Sequence, residues 1–225
     1  MFKLRIGARR LLVRGVLGGV CLASTVALAE PVRELVVAVQ LDRAPAVKKL
    51  LDAGASPNLM DPVSGETLLI LALRDGADQV VDALLARKDI ELERTAPNGN
   101  NALMMAAFKR NKRAVLALLA KGAVVTRPGW TALHYAAASG DDEITRLLLE
   151  HHAYIDAESP SQLTPLMIAA REGHAAAARV LLEQGADATL KNNEALTAAQ
   201  IAVRAGHADI ADSISAHLAT RRPRP

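Results

Sequence analysis

The sequence predicts an all-α repeat solenoid of about six helix-turn-helix units, and three recurrences predict it. A small-residue slot returns at Ala38, Ala72, Ala106, Ala136, Ala169 and Ala202, in steps of 34, 34, 30, 33 and 33 residues. A Leu-Leu pair moves in parallel, at Leu50-Leu51, Leu84-Leu85, Leu118-Leu119, Leu148-Leu149 and Leu181-Leu182. A Gly-Ala then follows at Gly54-Ala55, Gly122-Ala123 and Gly185-Ala186. A period of this size marks stacked units, none of which can bury its apolar face alone.

The units fall at approximately residues 32–60, 61–94, 95–126, 127–158, 159–191 and 192–218. The first is degenerate, with Arg43 and Ala44-Pro45 in place of the Gly-His turn of later units. Thr67, Thr131, Thr164 and Thr197 are predicted to cap the first helix of their units, accepting a bond from free helix-start N–H groups. Pro165 fits the first helical position, where a missing N–H costs nothing. The Ala slots keep that helix thin, and Gly76, Gly140, Gly173 and Gly206 are predicted to end it. Val47, Val81 and Val115, with the Leu pairs, give the second helix an apolar stripe. Met104, Met105 and Met167 fall at core positions, and Tyr135 is read as packing.

Between units, Pro57–Gly65, Arg94–Gly99, Thr126–Gly129 and Ala157–Ser161 are rich in turn formers, which predicts connecting turns, called fingers below. The finger before Trp130 is short: Gly122 to Gly129 spans seven positions where ten is usual, and this predicts a notch beside Trp130. The last unit carries Asp209, Asp212, Ser213, Ser215 and His217 on its second helix, the polar outer face that an end unit requires.

The fullest copies, Gly129-Trp130-Thr131-Ala132-Leu133-His134 and Thr164-Pro165-Leu166-Met167 with Gly173-His174, resemble the ankyrin repeat. The likeness covers residues 32–218. It implies short β-hairpin or turn fingers projecting to one side, and a scaffold that binds another protein through the finger tips and the exposed part of each first helix. It also implies that His134, His174 and His207 make hydrogen bonds between units.

Residues 1–29 read differently. Lys3, Arg5, Arg9, Arg10 and Arg14 precede an uncharged stretch, Gly15 to Ala29, that ends Ala27-Leu28-Ala29. This is the pattern of a cleavable signal peptide, with cleavage expected after Ala29 and an uncleaved anchor as the alternative. The stretch is shorter than the roughly 20 residues of a membrane span. The expected address is the bacterial periplasm, with secretion as the alternative and no stable membrane insertion after cleavage. The organisation expected is thus a signal peptide at 1–29, the repeat array at 30–219 and a basic, disordered tail at 220–225.

Cleavage removes the apparent basicity. The whole chain holds 27 basic and 24 acidic residues, but five basic and no acidic residues lie in 1–29, leaving 22 against 24. The balance gives no reason to expect nucleic-acid binding. The single cysteine, Cys21, lies in the same segment, so no disulfide is expected in the array. No Gly-x-Ser-x-Gly, phosphate-binding glycine loop or thiol nucleophile is present, and adjacent His151-His152 do not share a helix face. No enzyme activity, cofactor or metal is expected, and the chain is expected to be a monomer.

Function then falls to the surface. The register predicts exposure just after each finger, at Glu66, Asn100, Trp130, Leu163 and Leu196, and at the end of each first helix, including Phe108-Lys109 and Ala138-Ser139. Two of the few aromatics, Phe108 and Trp130, fall in such slots of adjacent units, and interface anchors are enriched in Trp, Tyr and Arg. The candidate partner site is therefore Phe108, Lys109 and Trp130, flanked by Arg74 and Arg171. The partner expected is another protein, held or regulated by the array. A host protein bound by a secreted effector is the alternative, and a stress-defence or immunity pairing with another exported protein is a weaker one.

Overall fold

The computed structural model describes residues 32–221. The predicted signal peptide, its cleavage site and residues 222–225 of the predicted tail lie outside the described residues. Among the described residues twelve helices form six consecutive pairs: α1 (32–40) with α2 (Ala44–Asp52), α3 (Leu68–Asp75) with α4 (Asp78–Leu85), α5 (Ala102–Phe108) with α6 (Lys112–Ala120), α7 (Ala132–Ser139) with α8 (Asp142–Glu150), α9 (Pro165–Glu172) with α10 (Ala175–Glu183), and α11 (Ala198–Ala205) with α12 (Ala208–Arg221). The last helix runs to Arg221, past the array boundary read from sequence.

The pairs stack in two layers. First helices pack in the order α3–α5–α7–α9–α11 and second helices in the order α2–α4–α6–α8–α10–α12. One continuous apolar core results, running from Leu35 to Ile214. Ala72, Ala106, Ala136, Ala169 and Ala202 are fully buried, which is how thin first helices approach one another. Val47 and Val115 are fully buried too, Val81 nearly so, and Met104 and Met167 are core residues as expected.

Local chemistry sets the helix starts. Thr67, Thr164 and Thr197 accept from the N–H groups of Ile70, Met167 and Gln200. Asn101 caps α5 in the same way at 3.1 Å, and Asp141 caps α8 at 2.8 Å. Gly76, Gly140, Gly173 and Gly206 all take the left-handed conformation at the end of the first helix. In the first and third units that slot is filled by Asp42 (φ 50°) and Arg110 (φ 56°) instead. At Gly140 and Gly173 close approach adds to the conformational demand. A Cβ there would lie 2.5 Å from the His174 ring and 2.6 Å from the His207 ring of the next unit.

The fingers are turns among the described residues, save one antiparallel bridge, Met60 to Thr67, in the first. A ladder crosses them. Side-chain oxygens of Asn58, Glu93, Thr126 and Asp156 accept from the backbone N–H of Glu91, Val124, Tyr154 and Asp187, each in the following unit. The shortened finger keeps its rung through Thr126, at 3.3 Å.

Candidate partner-binding surface

Phe108 ends α5, and Trp130 sits just before α7 in the next unit. Both are exposed, at 49% and 36%. The side chain that joins them is Tyr135, from the first turn of α7. Its ring meets Phe108 edge-on at 6.0 Å and Trp130 at 6.1 Å, within the range of favourable aromatic pairs. The Tyr135 hydroxyl donates to Asn100 Oδ1 at 2.6 Å, which fixes the ring; burial pushes its pKa up, against that bond. Tyr135 is thus half-buried and shared between core and surface, where sequence reasoning read it as packing alone.

Trp130 also leans on its own helix, with its ring 5.2 Å from that of His134. His134 is fully buried. Its Nδ1 accepts from the Thr131 N–H at 3.2 Å, so Nε2 carries the proton and donates to the Leu163 carbonyl of the next unit at 2.9 Å. Burial lowers its pKa, which keeps the ring neutral. His174 Nε2 likewise reaches the Ala138 carbonyl at 3.0 Å, while the His207 ring stands over Gly173. The expected bonds between units therefore form at His134 and His174.

Lys109 follows Phe108 at the end of α5 and is exposed. Arg74 belongs to the unit before that of Phe108, and Arg171 to the unit after that of Trp130. Arg74 pairs with Glu66 and with Asp75 at 2.9 Å; its pKa is raised, first by the bond to Asp75. It lines a cleft of about 630 Å³ with Arg33, Val36, Val37 and Val63. Arg171 bonds Glu172 at 2.8 Å and lines a cleft of about 340 Å³ with Glu194 and Arg204, which pair with each other. Neither cleft is lined by Phe108 or Trp130.

Several exposure expectations need correction. Glu66 and Asn100 are each only 9% exposed, because Arg74 covers one and Tyr135 the other. Ser139 turns its hydroxyl inward, to the Ala107 carbonyl of the preceding unit at 3.2 Å. His152 takes the left-handed position (φ 64°) that Gly54, Gly122 and Gly185 hold elsewhere. Among the described residues no three His, Cys, Asp or Glu side chains gather as metal ligands, and no helix is long and apolar enough to cross a membrane.

The family model for ankyrin repeats in three copies matches residues 35–128, 88–159, 125–192 and 157–220. The chain is similar to the ankyrin repeat domain of Bcl-3, a member of the IkappaB protein family, with a TM-score of 0.62 and 25% identity over 79% of this chain and 96% of that one. Among curated proteins it is 32% identical over 123 residues to transient receptor potential cation channel subfamily A member 1 of Homo sapiens, covering 52% of this chain and 11% of that protein. It is 38% identical over 115 residues to SH3 and multiple ankyrin repeat domains protein 2 of Homo sapiens, covering 48% and 6%. The match thus spans only a small part of either relative. With four overlapping matches over helices paired and stacked as described, the chain belongs to the ankyrin-repeat family.

Proposed function

We propose that this chain is a non-enzymatic protein-interaction module, exported to the bacterial periplasm, which holds or regulates a partner protein on its first-helix face. The observation that carries the binding surface is the aromatic cluster Phe108–Tyr135–Trp130, spanning two adjacent units and open to solvent at both ends. Large rigid rings bury much area at little entropic cost, which is why they anchor interfaces. Elsewhere on the first-helix layer, Arg74, Arg171 and Arg204 carry carboxylate partners of their own. Export rests on the residue pattern of 1–29.

A photo-crosslinking residue placed at Phe108 or Trp130 tests the surface in the exporting cell. A discrete adduct with another protein is expected there and not from Arg146, which is exposed on α8 in the other layer. Equal labelling at all three positions would reject the surface. Fractionation tests the address: a chain starting at Glu30 in the periplasm is expected. Cytoplasmic retention of the full-length chain would refute export, and accumulation in the medium would favour a secreted effector.

A further inference from the structure

Charge is distributed in three blocks. Residues 95–140 contain six basic residues, Lys109, Arg110, Lys112, Arg113, Lys121 and Arg127, and no acidic residue. Residues 30–94 hold 8 basic and 12 acidic residues, and residues 141–225 hold the same numbers. A basic band therefore crosses the middle of an otherwise acidic array, at the units that carry the aromatic cluster.

Half of the band is used internally. Arg113 pairs with Asp82 of the preceding unit, while Arg110 and Lys112 reach Asp141 and Glu143 of the following one, at 3.4 and 2.9 Å. Lys109, Lys121 and Arg127 meet no carboxylate within ion-pair distance among the described residues. Two of these three lie between Phe108 and Trp130 in sequence: Lys109 directly follows Phe108, and Arg127 lies on the short finger three residues before Trp130.

We infer that the partner segment docking here is an acidic stretch of polypeptide, with an apolar side chain seated on Phe108, Tyr135 and Trp130 and carboxylates meeting Lys109 and Arg127. This deepens the reading of the chain as an interaction module and rests on it. The apolar contact supplies the anchor. The charge supplies selectivity and a faster encounter, because the flanking acidic blocks repel an acidic segment everywhere except at the band. A nucleic-acid strand fits less well. It presents regularly spaced phosphates, and a strand longer than the band is repelled on both sides.

The test selects phage-displayed random twelve-residue peptides on the wild-type chain and on the double variant Lys109→Glu/Arg127→Glu. Neither cation has an ion-pair partner to lose, and circular dichroism with a melting curve verifies the fold. Wild type is expected to enrich net-negative peptides with an apolar residue between the acids. A fluorescent synthetic copy should bind about tenfold more weakly to the double variant and to Phe108→Ala, and more weakly as salt rises. Enrichment of neutral or basic peptides, no enrichment, or an affinity unchanged by the charge reversal overturns the inference. So does an oligothymidylate that binds as tightly as the peptide and is lost in the double variant. If adducts persist at Phe108 and Trp130 while the acidic preference fails, the interaction surface stands and only the partner chemistry falls. If both fail, the interaction reading falls too.

Discussion

The third and fifth units build the same backbone from different residues. The fifth has Thr164 as cap, Pro165 at the first helical position, Gly173 at the turn and His174 bonded to the preceding unit. The third uses Asn101 as cap, Arg110 in the left-handed turn, and Asn111 to reach Asp78 of the preceding unit at 2.7 Å. Their cores are alike: Leu118 and Leu181 are both fully buried. What separates them is outside. The fifth pairs Arg171 with its own Glu172, whereas the third sends its charge to both neighbours and keeps some for solvent. Packing fixes the apolar slots, while caps and turns accept substitutes, and the substitutes give a unit its individuality.

Three measurements sharpen or break this contrast. The largest effect is expected from Leu118→Ala and Leu181→Ala, each costing about 2–5 kcal/mol by loss of apolar contact and cavity formation. Similar losses in urea denaturation would support equivalent cores. A loss confined to the fifth unit would show that the third is loosely packed.

Next in size are the turns. Gly173→Ala should cost about 1–2 kcal/mol for the left-handed backbone, and more because the new Cβ would lie 2.6 Å from the His207 ring. Arg110→Gly should move the other way, gaining up to about 1 kcal/mol by relieving a side chain from that conformation. If both destabilise, Arg110 contributes more to the third unit than its turn.

The smallest is a pH effect from the fourth unit. The folded pKa of His134 lies below its usual 6.5, because burial disfavours the charged ring. Its contribution to stability is therefore complete above the unfolded value and is lost as pH falls through the folded one. The melting midpoint should drop between neutral and mildly acid pH. His134→Gln should flatten that drop, since Gln200 fills the same slot of the sixth unit and completes a capping box with Thr197. An unchanged pH profile would place the titration elsewhere.

Much of this was legible in the residues. The Ala slots, Leu pairs, Thr caps and Gly turns located the helices, because each answers to one steric or hydrogen-bond demand repeated at a fixed period. Contacts that depend on a second unit were not legible. Nothing beside Asn100 announces that Tyr135, 35 positions later, covers it. Glu93, Thr126 and Asp156 form successive rungs of one ladder, but they share only an oxygen, so no motif betrays them. The left-handed Asp42, Arg110 and His152 carry no glycine to mark the turn. At the candidate site, Phe108 and Trp130 were readable from register, whereas Tyr135 hid in a slot that looked purely apolar.

The two histidine bonds of the fourth and fifth units have a mechanical consequence. His134 ties its unit forward at the Leu163 carbonyl, and His174 ties back at Ala138, so the two are bolted at opposite ends of their first helices. No such pair of ring bonds joins the second unit to the third among the described residues. Under a stretching force the solenoid should yield by peeling from its ends, with the doubly fastened segment the last to let go.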